Sequence, residues 1–462
     1  MKTLKIASNG IEILVKVPFT SLVGANLKSL RTVIFNGFTS GRSYKFGGIR
    51  LYAPGSTFVV PTLPPASPTS TIAAQSTPYP VSNQPALVIE SFAATSGTSN
   101  NLGGWHGFDA TMKVAYKVGS MTISSPSSDL SWYSQFSAQS CNDISKYASG
   151  YLHIALTPST SSVDFSIAIQ EQNSFCDSSK KPSPANWEEV QMRRYLQGSD
   201  VYIPLSHFPI NLQRGIGIAL RAFTAPDIVT ITRIEIVGSV PASYVIPGKA
   251  PQSPLVYSCT VPNTLAFGID DGDPALASRT LQILNANGIK ATFFVLGLPL
   301  LDPTTNMTNV YKEALANGHQ VAVHSYTHPY FPTLTDAEID YQMDKVASVV
   351  QTNFGITSNY FRPPFGAIDA RSRQNLANRN MKTIMWSIDV EDYLWGTSST
   401  PSKQLDAFNR DLNAGGSLVV MHYLYSSTVD NLQAMITSAK DAGKKIVRVD
   451  QCLGDPNAPP IV

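Results

Sequence analysis

The sequence predicts a multidomain chain: an all-β jelly-roll-like sandwich, then a C-terminal α/β incomplete (β/α)7 barrel. Three observations carry this expectation. Residues 86–250 hold short apolar runs separated by turn residues, with no long amphipathic helix between them, which is the pattern of a sandwich. From Val256 the period changes, and strand-like runs alternate with helical ones, as parallel βα units require. Polar residues then recur at the C-terminal ends of those strands, where a barrel places chemistry rather than packing. At 462 residues the chain is also too long for one typical core.

In chain order, residues 1–58 alternate apolar runs (Ile11–Val17, Thr32–Phe35, Ile49–Tyr52) with Gly-containing turns, giving a short β-rich segment without a motif. Residues 59–85 lack hydrophobic periodicity and read as a Ser/Thr/Pro linker, stiffened by proline and O-glycosylated if secreted. In residues 86–250 the strand-like runs are Ala86–Phe92, Thr111–Tyr116, Tyr151–Leu156, Val163–Gln170, Asp200–Pro204, Gly217–Ala222 and Thr230–Val237. Trp105, Trp132, Tyr133 and Trp187 are either sugar-stacking platforms or sandwich core. Asp109, Asp129 and Asp143 are either calcium ligands or solvated loop carboxylates. The barrel spans 256–455, with strands expected at 264–269, 290–296, 320–325, 358–362, 382–388, 417–422 and 445–449. Helices are expected at 275–287, 307–317, 335–353, 369–379, 401–414 and 428–442. Thr335 and Glu338 form a capping box for the third of these, and Gly288, Gly318, Gly355, Gly415 and Gly443 stand where helices should stop.

A net charge of +2 and a charged fraction of 14% give no footprint for nucleic acid. No stretch approaches about 18 consecutive apolar residues, so no membrane span is expected. A monomer is expected. Asn9, Glu12 and Lys16 interrupt any apolar run near the start, so no signal peptide is evident. That conflicts with the secreted or cell-wall location argued below, and a truncated or mis-started N-terminus is one resolution.

The four cysteines allow three pairings. Cys141 and Cys176 lie in the first half, and Cys259 and Cys452 bracket the barrel, so Cys141–Cys176 and Cys259–Cys452 are the expected pairs. The alternative is four reduced, buried thiols. The second pair would close a long loop and contribute about 4–5 kcal/mol in the chain-entropy model. Asn306-Met-Thr308 is an N-glycosylation acceptor pattern.

The candidate chemistry starts at Thr264-Leu-Ala-Phe-Gly-Ile-Asp-Asp-Gly-Asp-Pro274. An apolar strand ends in two carboxylates, Asp270 and Asp271. Burying both ionised and unpaired would cost several kcal/mol each, so they must face water, a cation or a metal. An Asp-Gly turn that merely ends the strand is the simpler alternative. His324-Ser-Tyr-Thr-His328 follows a later strand, and two imidazoles four residues apart in a turn can reach one ion. Asp plus two His, with positions left open, is a catalytic rather than a structural zinc arrangement.

These motifs resemble those of the polysaccharide deacetylase (NodB homology) domain of carbohydrate esterase family 4, especially its fungal chitin deacetylase branch. The resemblance covers residues 256–455. It rests on Gly268-Ile-Asp-Asp-Gly-Asp-Pro274, Ala291-Thr-Phe-Phe-Val295, His324-Ser-Tyr-Thr-His-Pro329, Arg362-Pro-Pro-Phe-Gly366, Asp389-Val-Glu-Asp-Tyr393 and Val420-Met-His422. The closing Val449-Asp-Gln-Cys-Leu-Gly-Asp455 also resembles fungal members, whose terminal Cys often pairs with one ahead of the first strand.

The resemblance implies that Asp271, His324 and His328 hold Zn²⁺ or another divalent transition ion such as Co²⁺. It implies Asp270 as general base, ion-paired with Arg362, and His422 as general acid, its charge favoured by Asp389. It further implies the backbone N–H of Phe365 as oxyanion donor, with Trp386 and Val420 around the acetyl methyl. For those two, simple core packing is the competing expectation. The sequence departs from the family pattern in having Gly268 and Ile269 for Thr-Phe, Asp273 inserted before the proline, Phe365 for Tyr, Tyr393 for Trp and Val420 for Leu. Asp273 could shift the loop and compete for cations.

The resulting expectation is metal-dependent removal of N-acetyl groups from a polysaccharide, most simply chitin or chitooligosaccharides, with the sandwich as a possible carbohydrate-binding module. The alternatives are an O-acetyl xylan esterase, a deacetylase of another acetylated glycan, and a carbohydrate-binding wall protein with an inactive barrel.

Overall fold

The computed structural model describes residues 83–93, 98–157 and 163–461. The expectations for residues 1–58 and most of the linker lie outside the described residues. Everything below belongs to one compact unit, Pro65–Val462.

Its first part is two antiparallel sheets. One carries β1 (Leu87–Glu90), β3 (Lys113–Lys117), β4 (Ser120–Ser124), β6 (Tyr151–Leu156), β9 (Leu196–Gln197), β10 (Asp200–Pro204) and β12 (Val229–Val237), in the order β3-β4-β12-β6-β10-β9 with β1 on β12. The other runs β2 (His106–Phe108), β5 (Ser131–Gln135), β11 (Gly215–Arg221), β7 (Ser166–Glu171), β8 (Asn186–Gln191). Alternating Ile, Leu and Val residues from both sheets, among them Ile123, Ile154, Ile167, Leu220 and Ile231, form one core, as half-buried strands require. Trp132 is part of that core, fully buried, with its indole N–H donating to the Tyr116 hydroxyl at 2.9 Å, so it is no sugar platform. Trp187 lies beneath the Arg221 guanidinium at 4.3 Å. Trp105 is exposed and stacks on Tyr133. Asp109 and Asp143 accept the Ser131 and Ser145 amides. Neither these two nor Asp129 belongs to a metal-ligating cluster among the described residues.

From Leu255 the sheet is parallel. Its strands are β13 (Leu255–Val256), β14 (Thr264–Asp270), β15 (Thr292–Leu296), β16 (Gln320–Ser325), β17 (Tyr360–Phe361), β18 (Lys382–Ile384), β19 (Ile388–Asp389), β20 (Leu418–His422) and β21 (Lys445–Ile446). The order is β13-β18-β17-β16-β15-β14-β20-β19, with β21 on β14. Every residue of β14 is buried, because helices cover the outer face and side chains fill the interior. The six expected helices are present as Pro274–Ala286, Met307–Ala316, Asp336–Phe354, Ala370–Asn378, Lys403–Asn413 and Ser426–Asp441. The Thr335–Glu338 capping box is formed at the third.

The single strand expected at 382–388 is two. Its first half pairs with β17 and its second with β20, so this segment joins the two sides of the parallel sheet. Strand 445–449 is also shorter than expected, because Val449–Cys452 turn helical.

Both cysteine pairs are bonded, Cys141–Cys176 and Cys259–Cys452. Sandwich and barrel meet across buried charge. Arg373 reaches Glu188 at 2.9 Å, and Arg221 reaches Glu189 at 3.0 Å and the Ile368 carbonyl at 2.9 Å. Such pairs cost desolvation, and they hold only where the geometry recovers it.

Candidate metal centre and active site

The centre is built where β14 and β16 end. Asp271 leaves β14 with φ 52° and His328 closes its turn with φ 62°, so two non-glycine residues sit in the left-handed region. Backbone held there costs about 1–3 kcal/mol per residue and persists where surrounding structure enforces it. At Gly272 a Cβ would meet the Tyr423 ring at 1.9 Å, so only glycine can follow Asp271. The turn between the two histidines is pinned from a helix. The Gln342 side-chain oxygen accepts the Tyr326 and Thr327 amides at 3.0 and 2.9 Å.

The result is a three-residue cluster. His324 Nε2 lies 3.8 Å and His328 Nε2 3.4 Å from Asp271 carboxylate oxygens. One ligand atom from each residue falls within 4.8 Å of the others. His324 Nδ1 donates to the Arg362 carbonyl at 2.6 Å, which leaves Nε2 as the lone-pair nitrogen facing Asp271. Burial holds His324 well below the usual imidazole range and His328 down to about 4, so both are neutral donors. Burial and the Asp270 charge push Asp271 up to about 7, and its buried Oδ1 has no hydrogen-bond partner among the described residues. One oxygen with an open lone pair and two neutral imidazoles make a donor set that fits a divalent ion of the Zn²⁺ or Co²⁺ type.

Asp270 sits behind this cluster, and its partner is Arg362. Arg362 is fully buried and donates to Asp270 Oδ1 at 2.8 Å. Its Nε and Nη2 N–H groups reach the Ile384, Met385 and Val419 carbonyls, each at 3.2 Å, and its guanidinium lies 4.3 Å from the Phe294 ring centre. Burial pushes Asp270 up, and the Arg362 charge opposes it. Gly268 explains one departure from the family pattern. A Cβ there would meet the guanidinium at 2.4 Å, so the glycine makes room for Arg362 across the barrel.

His422 ends β20. Its partner is Asp392, which corrects the expectation for Asp389. Asp392 Oδ1 bonds His422 Nδ1 at 2.8 Å, and Oδ2 accepts the His422 amide at 2.6 Å. Asp389 ends β19 and instead accepts the Glu391 amide at 2.8 Å, while burial pushes its carboxyl up to about 6. The reason is local. Glu391 turns the chain at φ 55°, and the short helix Asp392–Trp395 starts with its first carboxylate aimed at β20. Burial alone would lower His422, but Asp392, helped by Asp270 and Asp271, outweighs it and raises the imidazole to about 9.

Phe365 stands at φ 60° beside His328, ring centres 4.5 Å apart. The Gly366 and Ala367 amides bond the Pro363 and Pro364 carbonyls, which closes this turn. Trp386 is half-buried, with the Arg362 guanidinium 5.9 Å from its ring centre. Val420 is buried and pairs with Gly268 and Asp389 across the sheet. Asp273 does not compete for the ion. It caps the helix Pro274–Ala286 by accepting the Ala275 amide at 2.8 Å.

Comparison with known proteins fits this geometry. Residues 258–384 match the model of the polysaccharide deacetylase family. The chain is 36% identical to a probable peptidoglycan-N-acetylglucosamine deacetylase of Arthroderma benhamiae, over 45% of this chain and 48% of that relative. It is 34% identical to a chitin deacetylase of Pestalotiopsis sp, over 46% of this chain and 70% of the relative. It is 30% identical to the chitin deacetylase of Colletotrichum lindemuthianum, over 47% of this chain and 90% of the relative. The chain thus spans about half the length of the first relative and most of the other two. It belongs to the polysaccharide deacetylase family.

Proposed function

We propose that this chain is a secreted or cell-wall, metal-dependent deacetylase that removes N-acetyl groups from N-acetylglucosamine polymers, chitin first among them. The observation that carries the reading is the convergence of Asp271, His324 and His328 beside the buried Asp270–Arg362 pair.

A divalent ion held by Asp271, His324 and His328 would supply Lewis acidity toward water and the acetyl carbonyl. Asp270 acts as general base toward the attacking water, and Arg362 fixes its orientation and opposes the cost of its burial. The Phe365 amide donates to the oxygen on which charge develops. His422, kept protonated chiefly by Asp392, delivers a proton to the leaving sugar amine. Trp386 and Val420 bound the space for the acetyl methyl. Asp389 contributes negative charge near Arg362 rather than a bond to His422. The antiparallel half, read as jelly-roll-like, assists in holding glycan.

The test is acetate release from a panel of N- and O-acetylated glycans, with and without a chelator. Release from chitooligosaccharides that stops with the chelator and returns with Zn²⁺ or Co²⁺ supports the proposal. Release from acetylated xylan alone would replace it with an esterase.

A further inference from the structure

The sandwich reaches the active-site mouth. Asp129, ahead of β5, and Arg221, the last residue of β11, face Tyr330, Phe365, Gly366 and Ala367 across an open cavity of about 550 Å³. That is within the range of about 300–1,000 Å³ typical of small-ligand sites.

The barrel end of this cavity is tied to the metal cluster. Phe365 is 67% exposed, yet its ring meets His328 in an edge-type contact and lies 6.1 Å from the Tyr330 ring. An aromatic ring exposed to solvent suits the C–H face of a pyranose ring. Across from it, Asp129 offers acceptor oxygens only. Tyr330 lines the same cavity with a hydroxyl that can donate or accept. Arg221 is wall rather than ligand, since its guanidinium is committed to Glu189, the Ile368 carbonyl and the Trp187 face. Those contacts fix the sandwich wall relative to the barrel wall.

The geometry points to a sugar subsite shared by sandwich and barrel, in which a hexosamine unit flanking the one being deacetylated stacks on Phe365 and donates hydrogen bonds to Asp129. This rests on the deacetylase reading and deepens it, because the sandwich then acts inside the catalytic groove rather than as a separate targeting module.

Asp129→Ala is the probe, since the residue is exposed and accepts only from the Ser127 hydroxyl among the described residues. With the N-acetylglucosamine pentamer, kcat/KM should fall about tenfold or more through KM, the size of a lost charge-assisted hydrogen bond. Hydrolysis of p-nitrophenyl acetate, too small to reach the cavity, should be unchanged, and Asp129→Asn should restore part of the loss. An unchanged KM for the pentamer, or equal losses on both substrates, would overturn the subsite. Titrating the pentamer into metal-loaded Asp270→Asn protein, with and without Asp129→Ala, reads the subsite without turnover. Weaker binding in the double variant supports it, and equal binding refutes it. Intact binding with no acetate release from the wild type would instead sink the deacetylase reading alone.

Discussion

Two buried arginines, Arg362 at the barrel mouth and Arg373 at the seam with the sandwich, use the same kind of ion pair differently. Arg362 donates from each of its three nitrogens, to one carboxylate and three carbonyls. Arg373 is just as buried, but its Nη1 has no partner among the described residues, and neither does Glu189 Oε1 beside it. The difference shows what each pair is built for. At the mouth a network that engages all three nitrogens fixes one geometry for Asp270. At the seam an incomplete one joins the antiparallel sheets to the parallel sheet.

The strongest way to break that distinction is to remove each arginine. Arg362→Met should cut turnover by about 10²–10⁴, the range for losing an effective general base, and destabilise by about 3–5 kcal/mol by stranding a buried carboxylate. Arg373→Met should cost a similar about 3–5 kcal/mol but leave p-nitrophenyl acetate turnover per folded molecule unchanged. Denaturant melts and rates on both variants decide this. Loss of small-ester turnover in Arg373→Met would mean that the seam and the mouth are not separable.

The disulfides sharpen the comparison at smaller scale. Cys259–Cys452 closes 193 residues of barrel and Cys141–Cys176 only 35 residues of sandwich. Loop entropy then assigns about 5 kcal/mol to the first and about 4 to the second. Paired Cys→Ser variants should differ in that order by unfolding calorimetry, and the reverse order would place the fragile element in the sandwich.

The smallest effect is electrostatic. His422 is raised to about 9 in the folded chain, above the unfolded value of about 6.5. Its contribution to stability is therefore complete below about pH 6.5 and is lost as pH rises through about 9. In chelator-treated protein Asp392→Asn should flatten that alkaline loss. In metal-loaded enzyme it should move the basic limb of kcat/KM to lower pH. Asp389→Asn should do neither, and a shift with Asp389→Asn alone would reverse the assignment made here.

Much of this was legible in the sequence because the barrel writes its chemistry at strand ends. Asp270 and Asp271 close an apolar run that reads as a buried strand, and the His324–His328 turn follows another. What stayed hidden depends on direction in space. Asp389-Val-Glu-Asp392 offers three carboxylates within four residues, and only the left-handed Glu391 decides which one reaches His422. Gln342 lies on a helix and shows nothing in sequence of the amides it holds. Strands β5 and β8 went unread because Ser-Trp-Tyr-Ser-Gln and Asn-Trp-Glu-Glu-Val-Gln carry polar residues that are buried against partners. For the same reason the sandwich's share of the groove could not be read from Asp129 or Arg221 alone.

The central claim is that three side chains from two strand ends bind one catalytic ion. Metal analysis of the purified protein, with wild type beside His328→Ala, tests it most directly. The expected result is about one equivalent of divalent transition metal in the wild type, lost in the variant together with acetate release. A wild type that keeps full deacetylase activity with no bound metal would contradict the account.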